Sequence, residues 1–148
     1  MGEAGVDELL GRPVRHRGIV LGRAVDAIVD ERAGRVLGLD VLCGDGEHRF
    51  LPLAAAVVRT GEIDVGSPLL LLDGSELEFY ASRSATFRSL QGRLVLRKRA
   101  KLGKLVDLLL GIDGAIDALV VAGEGRMQVP WGADLTLGAA RPHLRAAS

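Results

Sequence analysis

This 148-residue chain is short of several things, and each shortage narrows what it does. A single cysteine, Cys43, excludes an intramolecular disulfide framework and a thiolate zinc site. Five aromatic residues (three Phe, one Trp, one Tyr) leave little material for stacking bases or sugars. Nineteen basic residues against nineteen acidic ones leave no net charge, so no global field gathers nucleic acid or anionic lipid. No apolar run approaches the roughly 20 residues of a membrane helix; the longest is Leu53 to Val58, and Leu69 to Leu72 is shorter still. The first residues lack the basic-then-apolar pattern of a secretory signal, and Val6 stands where a myristoylation signal wants Ser or Thr. The expected home is a reducing cytoplasm.

Glycine is the surplus. Twenty glycines in 148 residues are about twice the usual share. Because an interior helical Gly costs roughly 1 kcal/mol against Ala, the composition favours short strands and tight turns over a helical bundle.

The glycines recur in register. Residues 11–30 and 92–111 align at an offset of 81 with Gly11/Gly92, Arg12/Arg93, Val14/Val95, Leu21/Leu102, Gly22/Gly103, Val25/Val106 and Asp26/Asp107 identical. After one deletion Gly34 pairs with Gly114 and Leu39 with Leu119; after two more, Leu51-Pro52 pairs with Val129-Pro130. Loops absorb length change and paired strands do not, so each gap predicts a turn. Asp113-Gly114 between apolar runs has the chemistry of a two-residue hairpin turn, which needs positive φ twice. Asp30 to Gly34, Gly44-Asp45-Gly46 and Gly123-Glu124-Gly125 are further turn signals. Each copy therefore predicts strand, hairpin, strand, hairpin, strand, preceded by a first strand at Pro13 to Arg17 and Leu94 to Lys98.

Leu105 to Ile112 has helical composition, but its partner Ala24 to Val29 is strand-like and both feed hairpins, which decides for strand. Gly11/Gly92 and Gly22/Gly103 are expected inside paired strands, the latter at a bulge that closes a small barrel. Between the copies, Ser75-x-x-Glu78 has capping-box spacing and predicts a helix over Ser75 to Ser84, with Leu77, Tyr80 and Ala81 on one side. A second helical turn is expected at Leu53 to Val57, and the tail from Arg141 is expected to fray.

These residues resemble a known family. Leu10-Gly11-Arg12-Pro13-Val14, Leu21 to Asp30 and Gly34 to Leu39 are similar to the PRC-barrel domain. That small β-barrel is named for the cytoplasmic part of the photosynthetic reaction centre H subunit and also forms the C-terminal half of the ribosome maturation factor RimM. The second copy resembles it through Gly92-Arg93, Leu102 to Asp107 and Val129-Pro130-Trp131, where the first copy has Leu51-Pro52-Leu53. The resemblance implies an all-β fold of two tandem PRC-barrel-like units, at 7–74 and 87–145, joined by a helical linker at 75–86. Units of ~65 residues are marginal alone, so packing about a pseudo-twofold is expected. The resemblance also implies docking or scaffolding on larger assemblies, and it brings no catalytic residue set, cofactor or metal.

Few residues point to chemistry. His16, His48 and His143 lack ligand spacing. Cys43 ends an apolar strand and reads as a small hydrophobe. Asp26 and Asp107 recur, and a carboxylate inside a strand either faces solvent or caps backbone donors. Without a partnering His, Lys or metal they form no acid–base site, so no enzyme is expected.

Charge, though balanced overall, is clustered. Residues 93–104 hold Arg93, Arg97, Lys98, Arg99, Lys101 and Lys104 with no acid; residues 12–23 hold Arg12, Arg15, His16, Arg17 and Arg23, also with no acid. Two basic hairpins result, Arg15-His16-Arg17 and Arg97-Lys98-Arg99 with Lys101. They are either solvated strand edges that discourage pairing or docking patches for an anionic partner. The leading expectation is a non-enzymatic cytoplasmic adaptor that binds a protein partner. The alternatives are a ribosome- or rRNA-associated module using the basic hairpins, and a small-ligand sensor between the barrels; homodimerisation stays open.

Overall fold

A computed structural model describes residues 4–138; His143 and the tail from Arg141 lie outside the described residues. Two long strands organise it, β3 (Ile19–Asp30) and β10 (Ala100–Leu110). Both are bulged, because each must serve two ladders that diverge. β3 shifts register against β2 (Pro13–His16) between Val14 and Arg15, and against β4 (Arg35–Cys43) between Ala24 and Asp26. β10 does the same against β9 (Leu94–Arg97) between Lys101 and Gly103, and against β11 (Ile116–Ala122) between Leu105 and Asp107. Extra residues increase the local twist and let a short strand coil into a barrel. Glycine is required at the first bulge of each. A Cβ on Gly22 would lie 2.6 Å from the Leu42 carbonyl oxygen, and one on Gly103 would lie 2.4 Å from that of Ala122.

The result is two barrel-like sheets. The first runs β5 (His48–Pro52), β4, β3, β2, β7 (Glu62–Val65), β6 (Ala56–Arg59); the second runs β12 (Arg126–Pro130), β11, β10, β9, β13 (Leu135–Leu137). The turns fall where the repeat loses residues. Asp113 and Gly114 both have positive φ, 58° and 80°.

The halves interlock. β2 and β9 cover only the first part of the long strands, leaving an open edge that the opposite half closes. β1 (Ala4–Gly5) pairs with Leu110 and Leu109 of β10, while β8 (Ala85–Thr86) pairs with Val29 and Ile28 of β3. Each of these leaders enters a one-turn helix, α1 (Val6–Leu9) or α3 (Phe87–Leu90), whose Val6, Leu9, Phe87 and Leu90 are wholly buried in one core shared by both halves. At about 1.5–3 kcal/mol per large buried side chain, these four anchors bind the halves together. Trp131 lies against Gly34 of the first half, and Leu53, its counterpart, against Gly114 of the second. Ile116 N–H donates to the Gly34 carbonyl at 2.9 Å, adding a backbone link.

Several local expectations need correction. Gly11 and Gly92 lie in the turns before β2 and β9, at φ 93° and 85°, because the chain must reverse out of α1 and α3 there. The connecting helix, α2, is Gly74–Ser82 and is capped by Asp73, whose Oδ1 accepts from Ser75 N (3.0 Å) and Glu76 N (3.3 Å). An ionised cap two residues upstream of Ser75 sets the start, since one carboxylate oxygen satisfies two end amides. After Pro52 only Leu53–Ala55 forms a helical turn; Ala56 onward extends as β6 to pair with β7.

Candidate docking surface

Asp26 and Asp107 have a shared structural role. The bulge before each turns its carboxylate toward the opposite half. Asp26 Oδ1 accepts from Arg88 N of α3 at 3.0 Å and from Ala27 N at 2.8 Å. Asp107 Oδ1 accepts from Asp7 N of α1 at 2.9 Å and from Leu108 N at 2.8 Å. Each acid thus binds a free amide at the start of the other half's helix. Burial raises the Asp107 carboxyl above its ordinary value; the N–H donors from Asp7 and Leu108 oppose the shift, and the nearby Asp7 and Glu8 charges add to it. Arg88 Nη1 and Asp7 Oδ1, at equivalent positions of the repeat, stand 3.6 Å apart between the two clasps.

The histidines are held by local partners. His16 Nδ1 lies 3.0 Å from the Val65 carbonyl, and His48 Nδ1 lies 2.7 Å from Asp40 Oδ1. Cys43 is buried. Among the described residues no three His, Cys, Asp or Glu side chains gather to hold a metal ion. Two open clefts flank the β3–β4 loop. One of ≈ 660 Å³ is lined by Asp30–Ala33 and Arg83–Ala85, and one of ≈ 480 Å³ by Glu31, Arg32, Trp131 and Leu135–Leu137. Neither gathers the sequence-predicted charges.

The basic hairpins turn at Arg17-Gly18 and Lys98-Arg99, where Arg17 and Lys98 adopt positive φ of 50° and 55°. Among the described residues, no hydrogen bond or ion pair joins one hairpin to the other. Their surroundings differ. Beside the first, the β6–β7 arm brings acids: Arg15 Nε lies 3.0 Å from Glu62 Oε1, and Arg59 pairs with Asp64. The pairing is in register across the outer face, Val20–Arg15–Asp64–Val57. Two of these, Val20 and Val57, are large exposed apolar side chains, and Ile19 at the tip is another. Beside the second hairpin lies β13, and the turn before it supplies Asp134 alone, 3.5 Å from Arg97. Lys98, Arg99, Lys101 and Lys104 are exposed and have no ion pair among the described residues. Lys101 occupies the place of Val20, and Lys104 that of Arg23, in the repeat. The sequence flagged both hairpins as basic and free of acids; the neighbouring strands add a difference that the sequence did not show.

Residues 1–73 match the family model of the PRC-barrel domain. Over that span, just under half of the chain, the protein is similar to the PRC-barrel domain. No curated protein matches the chain. The PRC-barrel match takes in β1 to β7, including the acid-bearing arm. The second barrel-like sheet repeats its bulges, its leader and its buried anchors. No helix among the described residues is long and apolar enough to cross a membrane.

Proposed function

We propose that the chain is a non-enzymatic adaptor of two PRC-barrel-like units, the second of which docks an acidic surface of a protein partner through its first hairpin. The observation that carries this reading is that Lys98, Arg99, Lys101 and Lys104 have no ion pair among the described residues, whereas Arg15 of the first half's hairpin is neutralised by Glu62. Cations left in solvent keep their field for an incoming anionic group, and such fields act on association and specificity more than on the stability of the fold. A protein partner is preferred to RNA because no aromatic side chain lies on this hairpin to stack bases.

The test is capture of partners from nuclease-treated native lysate at two salt concentrations. The wild-type chain is compared with the Lys98→Glu/Arg99→Glu/Lys101→Glu variant. A protein captured at low salt, retained after nuclease and lost in the variant is the expected result. Capture that disappears on nuclease treatment would move the reading to the ribosome- or rRNA-associated alternative. Capture indifferent to the three substitutions would remove the hairpin from the interface.

A further inference from the structure

β5 and β12 hold the same place in their sheets, each the outer strand beside β4 or β11. Only β5 is covered. Phe50 N–H donates to the Leu72 carbonyl and Leu72 N–H to that of Phe50, both at 2.8 Å, so the segment leaving β7 adds one residue of strand to the sheet. Leu70 and Leu71 pack on the core beside this bridge, and Tyr80 of α2 stacks on Phe50 with ring centroids 4.7 Å apart.

The counterpart of Phe50 is Gln128, since Phe50 opposes Asp40 as Gln128 opposes Val120. Its backbone faces the same way. Gly123 N–H donates to the Gly125 carbonyl at 2.8 Å and Trp131 N–H to that of Asp117 at 3.0 Å, so odd-numbered residues of β12 exchange bonds with β11. By the alternation of an antiparallel ladder, the N–H and C=O of Arg126 and Gln128 point away from the sheet. Among the described residues nothing bonds to them, and Arg126, Met127 and Gln128 are all exposed. An open edge of this kind is a template for another strand.

The side chains select which strand. Arg126, Ala122 and Lys104 form one row across the outer face, and neither cation is paired with an acid among the described residues. Met127, on the alternate side and 46% exposed, leaves apolar surface beside the open edge. A covering strand that alternates acidic and aliphatic residues satisfies both sides, the pattern by which an added strand gains affinity from its backbone and specificity from its side chains.

We infer that the β12 edge accepts an extended segment of a protein partner, acidic on one face and aliphatic on the other, as an added strand paired at Gln128. The hairpin reading shares only Lys104 with this one, and its test changes other residues, so the two stand or fall separately.

The experiment uses the full chain, labelled for amide NMR, and a synthetic heptapeptide alternating glutamate with leucine and valine. In the free chain the Gln128 amide exchanges freely while the Phe50 amide is protected. Adding the peptide shifts the Arg126 and Gln128 amides and slows exchange at Gln128 by about tenfold or more. A lysine-alternating peptide does neither. Gln128→Pro removes an outward N–H that the fold does not use, so the thermal midpoint holds and peptide binding is lost. Arg126→Glu, which leaves every backbone bond in place, weakens peptide binding and serves if the proline variant does not fold. The inference is overturned if the Gln128 amide is already as protected as that of Phe50, or if both variants bind the peptide as wild type does. It is also overturned if a duplex RNA oligonucleotide shifts these amides and the peptide does not.

Discussion

In the first half, β7 of the β6–β7 arm lies parallel to β2 and presents Glu62 and Asp64 to the hairpin; in the second, β13 lies antiparallel to β9 and the turn before it presents Asp134 alone. The backbones of the two hairpins are nearly interchangeable, down to positive φ at Arg17 and Lys98. The outer strands differ in the same sense, β5 covered by Leu72 and β12 bare among the described residues. The two barrel-like halves thus agree in what the core demands and differ in what is laid against it. The shared features are those whose loss unfolds the chain, and the divergent ones are those available for contact.

The largest expected effect comes from breaking the shared part. Phe87 and Val6 hold equivalent positions in α3 and α1, and both are wholly buried. Phe87→Ala empties a large volume at the seam and is expected to cost about 3–5 kcal/mol in denaturant unfolding. Val6→Ala removes two methyl groups and is expected to cost about 2 kcal/mol. Equal costs would mean that the two anchors are not loaded in proportion to their size. A single unfolding transition in both variants is expected, because one core spans both halves.

The clasps offer a finer comparison. Asp26→Ala deprives the start of α3 of its acceptor and should cost about 1 kcal/mol, with Asp26→Asn recovering most of it. Asp107 brings a pH dependence. Its folded carboxyl titrates above the unfolded value of 3.8, so between those values the folded state holds more proton than the unfolded one. The contribution of this group therefore falls as pH rises through that window and levels off above the raised value. Asp107→Asn keeps the acceptor for Asp7 N and loses the titration. Its stability relative to wild type should rise with pH through the same window, as followed by thermal melts from acid to neutral. A pH-independent difference would refute the direction assigned to Asp107.

The strands and turns were legible in the sequence because their signals are local: Asp113-Gly114 supplies two positive φ values, and Gly22 and Gly103 permit close strands. The repeat also singled out Asp26 and Asp107. Their donors were not legible, since Arg88 N and Asp7 N lie 62 and 100 residues away. The leaders β1 and β8 are two residues each, too short to show a period. The inequality of the two hairpins was hidden for a related reason. The charge count placed both without acids nearby in sequence, and the acids that matter, Glu62 and Asp64, arrive through a parallel strand far along the chain.

That inequality can be erased with little structural cost. Glu62 and Asp64 face outward and their ion pairs are partly exposed, so Glu62→Gln/Asp64→Asn should change stability by less than about 1 kcal/mol. The substitutions keep side-chain shape and leave Ile63 and Val65 in the core. They free Arg15 and Arg59 to join Arg17 and Arg23, giving the first hairpin a set of unpaired cations like that of the second. Retention on a heparin column, a generic polyanion, should then rise above wild type and fall steeply with salt. Retention of the Lys98→Ala/Arg99→Ala/Lys101→Ala variant should fall below wild type, and the five substitutions together should return it toward wild type. If the arm variant is retained no longer than the wild-type chain, proximity of acids is not what distinguishes the hairpins. The exposed Ile19 and Val20 at the first tip would then be the difference that matters, because in the second half Lys101 stands where Val20 does.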